Sequence, residues 1–333
     1  MPSHALDVLT LGNAIVDVIA QADDAFLVAQ GVHKGAMQLI DEGRAEDLLA
    51  AMGPVVIVGG GSGANTAVGA AALGARTGFV GKVRDDELGR LYARDLAAAG
   101  VAYGVAPATD GPATARSFIL VTPDGERTMN TYLGACQNLG PDDIDPATVQ
   151  GARIVYLEGY LWDPPAAKDA FRKAVGLAHG AGNAVALTLS DAFCVDRYRD
   201  EFLTLIRDGS LDILFANIHE LKSLYQTADD GAALAALREE NILGVVTRSA
   251  AGALVVSRDG TEEVRAYPVD AVVDTTGAGD LFAAGFLAGL AFDLDPASCA
   301  RLGGLAAAEV ISHLGARPQA NLRDLARQAG LLA

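Results

Sequence analysis

The sequence predicts an α/β protein: a doubly wound, mainly parallel sheet with helices on both faces and a small β-sheet inserted as a lid. Three observations predict it. Short apolar, β-branched runs alternate with amphipathic segments of helix length along most of the 333 residues. The rhythm lapses at residues 101–133, where two alternating runs flank Pro123-Asp124-Gly125, and then resumes. Polar or glycine-rich loops recur at the carboxyl ends of the predicted strands, the edge on which ligands sit in such sheets. We therefore expect a single domain over 1–333, with the lid inserted from about 13–40 and 102–137.

Half the residues are hydrophobic, enough for one sizeable core. The formal charge of −17 argues against nucleic acid and anionic membranes, both of which call for a basic footprint. It leaves a phosphate ligand open, because backbone amides and a metal ion supply local positive potential. Cys136, Cys194 and Cys299 show no CxxC spacing and fit neither a disulfide framework nor a zinc site. Residues 1–20 lack a secretory signal, and Leu281–Phe292 is too short to span a bilayer, so a cytoplasmic location is expected.

In chain order, Leu6–Leu11 reads as a strand running into Gly12-Asn13, and Ala14–Ala20 continues extended with Asp17 inside it. Met37–Ile40 is a short strand and Glu42–Met52 an amphipathic helix. Val55–Val58 leads through Gly59–Asn65 into the helical run Thr66–Leu73; glycines there mean close packing or a ligand against the backbone. Thr77–Val80 is a strand and Asp86–Ala99 a helix stopped by Gly100. Ala113–Val121 and Arg127–Tyr132 form the small sheet, on which Arg127 either reaches phosphates or stays on the surface.

The α/β rhythm returns with strand Ile154–Leu157, helix Pro165–Ala181, strand Ala184–Leu189, helix Tyr198–Asp208 and strand Ile213–Ala216. Helix Ala232–Glu239 and strand Gly244–Thr247 follow, then Ala253–Ser257 and Glu263–Pro268 as an antiparallel pair, and finally the helical region Pro296–His313. Trp162 reads as packing rather than a stacking platform, and the five histidines are scattered without triad partners. Gly12-Asn13, Gly59–Asn65, Ser190, Asn217–Glu220, Thr247 and Thr275–Asp280 all fall at strand ends. Their convergence on one edge points to a site.

The most informative stretch is 272–290. A β-branched run ends in Asp274, a Gly-Ala-Gly turn follows, and Asp280 opens an apolar helix. The N–H groups of Gly277, Ala278 and Gly279 would lie at a helix N-terminus without intrahelical partners, where oxyanions bind. A carboxylate beside such a cradle repels phosphate, yet it suits a base that takes a proton from an attacking hydroxyl. The alternative is a plain N-cap. The stretch is neither a P-loop nor a GxGxxG fingerprint.

With these residues in view the chain resembles the ribokinase-like (PfkB) family of carbohydrate and nucleoside kinases, nearly end to end. Asp274–Asp280 matches the family's DTxGAGD signature; Gly60–Asn65, with Gly74 and Gly89, matches its other signature; Asn217–Glu220 fits its NxxE motif. Gly12–Asp17, Leu187–Phe193 and Asp212–Asn217 are similar to the adenosine kinase subgroup. Thr276, Leu161 beside Trp162, and Met37 depart from that subgroup and leave the base open.

The resemblance implies an ATP-dependent nucleoside kinase acting on the 5′-hydroxyl of adenosine, with Asp280 as general base and Gly277, Ala278 and Gly279 as the anion hole. It implies that Asp17, Gly60, Gly61 and Asn65 hold ribose hydroxyls beside Asn13, and that Leu39, Leu133, Ala135 and Phe193 enclose the base. Asn217 and Glu220 would hold Mg²⁺ and phosphates through water, and Thr247 would lie by the nucleotide. A monovalent cation, K⁺, would sit at Asp274, Thr276 and backbone carbonyls near Val310, His313 and Gly315. Another nucleoside such as inosine or guanosine, a sugar such as ribose or fructose, and a non-catalytic nucleoside sensor stay open. So does monomer or homodimer.

Overall fold

The computed structural model describes residues 4–333. Its strands are β1 (Leu6–Leu11), β2 (Ile15–Gln21), β3 (Met37–Leu39), β4 (Val56–Gly60), β5 (Thr77–Val80), β6 (Val101–Tyr103), β7 (Ala115–Val121), β8 (Arg127–Tyr132), β9 (Ala152–Glu158), β10 (Ala184–Thr188), β11 (Ile213–Asn217), β12 (Leu243–Thr247), β13 (Ala253–Ser257) and β14 (Gly260–Val264). Its helices are α1 (Asp24–Ala29), α2 (Glu42–Ala51), α3 (Ser62–Ala72), α4 (Glu87–Ala98), α5 (Pro146–Gln150), α6 (Pro165–Gly180), α7 (Ala192–Arg207), α8 (Ile218–Leu224), α9 (Asp230–Glu239), α10 (Ala278–Ala291), α11 (Pro296–Val310) and α12 (Leu322–Gln328). Among the described residues no helix is long and apolar enough to cross a membrane.

Nine strands form the main sheet in the order β14-β13-β12-β11-β10-β9-β1-β5-β6. It is parallel from β6 to β12 and antiparallel at β13 and β14. Alternate side chains feed two cores, as a strand buried on both faces requires. Val8, Ile154 and Tyr156 pack under α10 and α11, whereas Leu9, Leu11, Val155 and Leu157 pack under α6 and α7. The chain leaves β1 toward β5 and β6, then returns to build outward from β9, so the topological switch lies between β1 and β9.

Small residues bring three helices together. A Cβ at Gly285 of α10 would lie 2.6 Å from the Gly303 backbone of α11, and one at Gly69 of α3 would lie 2.8 Å from Ala284 of α10. This close approach sets the N-termini of α3 and α10 side by side.

Five strands form the smaller sheet, β3-β8-β7-β2-β4. One face packs on α1 and α2 through Val18, Ala20, Phe118, Leu120, Leu27 and Leu48. The edges stay open, with Met37 and Leu39 of β3 and Val56 of β4 exposed.

The structure corrects several boundaries. The strand before Gly61 does not join the main sheet: it pairs antiparallel with β2, because β2 swings out of the main sheet after Gly12-Asn13 and is flanked there by β4 and β7. The Gly59–Asn65 loop therefore enters the site from the smaller sheet. Conversely, Val101–Tyr103 pairs with β5 in the main sheet. Glu263–Pro268 is displaced to Gly260–Val264, where the turn after Ser257 closes the hairpin at once. Helix α7 begins at Ala192, capped by Asp191, and bends at Tyr198. All three cysteines are free and buried.

Candidate active site

The site is built on the switch point. Glu158 ends β9 and is 1% exposed. Its Oε1 accepts from the backbone N–H (3.2 Å) and Nδ2 (2.9 Å) of Asn13 after β1; its Oε2 accepts from the N–H of Gly63 on α3 at 2.6 Å. One carboxylate thus ties three loops together. Burial pushes its pKa to about 7 against the pull of these donors. Sequence reasoning passed over Glu158, although a carboxylate ending an apolar strand just before Gly159 carried the same signal as Ser190.

Asp17 of β2 lies against Gly60, where any side chain would collide with its carboxylate. Gly61 has φ +89°, and a Cβ there would strike the Asn13 carbonyl. Burial raises Asp17 to about 7; Arg317 and Arg127 oppose the rise and Asp280 adds to it. Asn65, 4% exposed, donates through Nδ2 to Asp280 Oδ2 at 3.1 Å, and Ser62 Oγ donates to Asp280 Oδ1 at 2.6 Å. Arg317 Nε donates to Asn65 Oδ1 at 3.4 Å. Ser62 and Arg317 were not singled out from the sequence. Ser62 lay inside the quoted glycine motif, whereas no local pattern marks Arg317.

Gly277 is left-handed, with φ +79°, and caps α10; a Cβ there would lie 2.7 Å from the Ala316 carbonyl. Ala278 departs from the expected cradle. Its N–H donates to the Thr275 carbonyl at 3.2 Å, because the left-handed Gly277 closes a turn. Gly277 and Gly279 line a cavity of about 320 Å³ with Asp280, Ser62, Asn217, Glu220 and Thr247. A helix N-terminus favours the charged form of a carboxylate such as Asp280. Burial instead raises its pKa, with Ser62 and Asn65 acting in opposition.

Asn217 caps α8 in a reciprocal box: Oδ1 accepts from the N–H groups of His219 and Glu220, both at 2.9 Å, and Glu220 Oε2 accepts from Asn217 N at 3.0 Å. Glu220 is 5% exposed, and burial raises it to about 7. Such a carboxylate at a cavity wall suits a hydrated divalent cation held partly by phosphate. Thr247, ending β12, opens onto this cavity and onto a second, mostly apolar one of about 430 Å³ lined by Tyr267, Val269, Val272, Phe282 and Ile311.

The residues expected around a base lie on different elements and differ in exposure. Leu39 is 54% exposed, and Phe193 lies at the surface on the first turn of α7, 81% exposed. Leu133 is half-buried. Ala135 is wholly enclosed, its N–H bonded to the Ala113 carbonyl. Trp162 packs between Phe171 and Phe202 and donates to Glu201.

Of the residues expected to hold a monovalent cation, Asp274 and Thr276 already have partners. Asp274 is buried, and its Oδ1 accepts from Thr276 N at 3.0 Å. Its Oδ2 accepts from Gly315 N at 2.8 Å and meets Arg127 Nη2 at 2.5 Å. Arg127 also donates to Thr276 Oγ1 at 3.3 Å. Val310 is fully buried, and His313 pairs with Glu309 at 3.1 Å. The carboxylate that a cation would need is already neutralised.

Residues 34–322 match the sequence profile of the pfkB family carbohydrate kinases. The crystal structure of a probable sugar kinase from Rhizobium etli CFN 42 superposes with a TM-score of 0.93 at 49% identity, over 99% of this chain and 100% of that one. The adenosine kinase of Sinorhizobium meliloti gives 0.91 at 52% identity, over 97% and 99%. An ATP-dependent ribose-1-phosphate kinase from Halopiger xanaduensis is 34% identical over 232 residues, 69% of this chain and 72% of that protein. The chain belongs to the pfkB family of carbohydrate kinases, enzymes that phosphorylate a sugar or nucleoside at the expense of ATP.

Proposed function

We propose that this chain transfers the γ-phosphoryl group of ATP to the 5′-hydroxyl of a nucleoside, adenosine foremost. The observation that carries the transfer is Asp280: its carboxylate is held by Ser62 and Asn65 at the wall of the cavity that Gly277 and Gly279 also line. Asp280 accepts the proton of the attacking hydroxyl. The N–H groups of Gly277 and Gly279 meet the charge on the migrating group, the kind of donor worth about 2.7–4 kcal/mol each. Asp17 and Asn65 orient the acceptor's hydroxyls, and a loose transition state demands little of the base. Adenine enters the 430 Å³ cavity beyond Thr247. Asn217 and Glu220 would hold a hydrated Mg²⁺, which would supply positive charge at the phosphates.

Adenosine as acceptor is supported by the 52% identity to the Sinorhizobium meliloti adenosine kinase and by Phe193 and Leu39, apolar side chains left uncovered. A second reading has its own observation. Arg317, with one guanidinium nitrogen buried and unpartnered, packs against Gly59 and Asn65 beside Asp17. A guanidinium there suits an acceptor carrying an anionic group, such as a sugar phosphate.

The test is ADP release from MgATP with adenosine, inosine, guanosine, cytidine, ribose, fructose and ribose 1-phosphate. Fastest turnover of adenosine is expected. Preference for ribose 1-phosphate would establish the second reading, and preference for another member would move only the substrate. Silence across the panel, from folded protein that binds ATP, would make the chain a nucleoside sensor and sink both.

A further inference from the structure

The ion pair between Arg127 and Asp274 joins the two sheets directly behind the glycine cradle. Arg127 stands at the start of β8 in the smaller sheet, whereas Asp274 leads into Thr276 and Gly277 on the main-sheet side. Their side chains are 10% and 3% exposed. The guanidinium reaches Asp274 Oδ2 with Nη2 and Thr276 Oγ1 with Nη1, bracketing Thr275 shortly before Gly277. The carboxylate's other contacts are the N–H groups of Thr276 and Gly315, so it also links the cradle to the turn after α11.

We propose that the Arg127 guanidinium is the resident counter-cation of the cradle, so that the phosphoryl transfer proposed above needs no monovalent metal ion. A buried carboxylate three residues before Gly277 would repel an incoming phosphate unless neutralised, and opposite charges in contact are the effective remedy in a site of low dielectric. Arg127 supplies that charge covalently. Two nearby carbonyls also accept hydrogen bonds. The Ile311 carbonyl accepts from Val273 at 2.8 Å, and the Leu314 carbonyl accepts from Gln319 Nε2 at 3.2 Å. Arg127 is a positioning residue, acting through Asp274 and Thr276. Because it arrives on the smaller sheet, the cradle's charge balance depends on where that sheet sits.

The experiment compares ADP formation in buffers of equal ionic strength whose monovalent cation is K⁺, Na⁺ or tetramethylammonium. The wild-type chain is expected to keep its rate within about twofold. Arg127→Ala opens space for a small cation beside an unpaired carboxylate; it should lose at least tenfold in tetramethylammonium and regain most of that in K⁺. The Tm of the nucleotide-free chain gives an independent readout: K⁺ should leave the wild type unmoved and raise the variant. Arg127→Gln, which keeps a donor but no charge, replaces Arg127→Ala if the latter does not fold. Fivefold or greater stimulation of the wild type by K⁺ overturns the proposal. So does a variant that responds to K⁺ in neither readout. If no acceptor is turned over the kinase reading fails, and the Tm comparison alone decides this inference.

Discussion

The proposed phosphate side of the site and its proposed acceptor side are built by different means. On the proposed phosphate side Glu220 and Asp274 are 5% and 6% exposed, and each carboxylate accepts from backbone N–H groups of fixed loops. On the acceptor side the side chains expected to grip a base, Phe193 and Leu39, are 81% and 54% exposed, one on α7 and the other on the edge of the smaller sheet. Directional hydrogen bonds hold the first half in place before anything binds. The second half relies on apolar area that no protein group covers, and its energy is realised only when a ligand arrives. Charge stabilisation requires preorganised dipoles, whereas substrate capture tolerates closure on binding.

The contrast breaks most decisively at Asp280. Asp280→Asn removes the proton acceptor but keeps hydrogen-bonding capacity toward Ser62 and Asn65, so kcat should fall about 10²–10⁴-fold. Binding of the nucleoside, measured by calorimetry, should change only a few-fold. More than a tenth of the activity remaining would remove Asp280 from the role of base.

Acid should expose the same half next. Burial raises the Asp280 pKa, and the base works ionised, so kcat/KM should decline as pH falls through a value above the ordinary carboxylate range. A profile flat down to pH 4 would contradict the burial argument. Stability runs the other way. Asp17, Glu158 and Glu220 are raised to about 7, so their contribution is full below their unfolded values and is lost as pH rises through about 7. The ligand-free protein should therefore resist urea better at pH 5.5 than at pH 8. Glu158→Gln should narrow that gap, and an unchanged gap would exclude Glu158 as a source.

The smallest effects belong to the acceptor side. Phe193→Ala should change stability by no more than about 0.5 kcal/mol, since the side chain is exposed. It should still raise KM for a nucleoside roughly tenfold, the loss expected on truncating one aromatic contact. KM for MgATP should not move. Equal effects on both substrates would erase the distinction between the halves.

Much of this was legible in local pattern. Hydrophobic periodicity placed most elements within a few residues, since alternation and helical spacing are local records of which face is buried. The Asp274–Asp280 stretch could be read as cradle and base because a helix N-terminus and its glycines are contiguous in the chain. Gly60 and Gly61 marked close backbone approach without showing that Asp17 and Asn13 were the groups approached.

Partners distant in sequence were not legible. Asn13 and Glu158 are 145 positions apart and Asn65 and Arg317 are 252 apart, and each pair meets only because the sheet order is what it is. The sheet that Val56–Gly60 joins likewise depended on competition among strands, since a short apolar run fits either sheet equally well. Sequence alone determined most element types and singled out Asp280 and its neighbouring glycines as the candidate base and cradle, because backbone conformation and side-chain chemistry reside in neighbouring residues. Tertiary structure decided how those charges are balanced. Burial and ion pairing are properties of the packed interior, and there Arg127 came to rest on Asp274, Ser62 on Asp280 and the loops of Asn13 and Gly63 on Glu158.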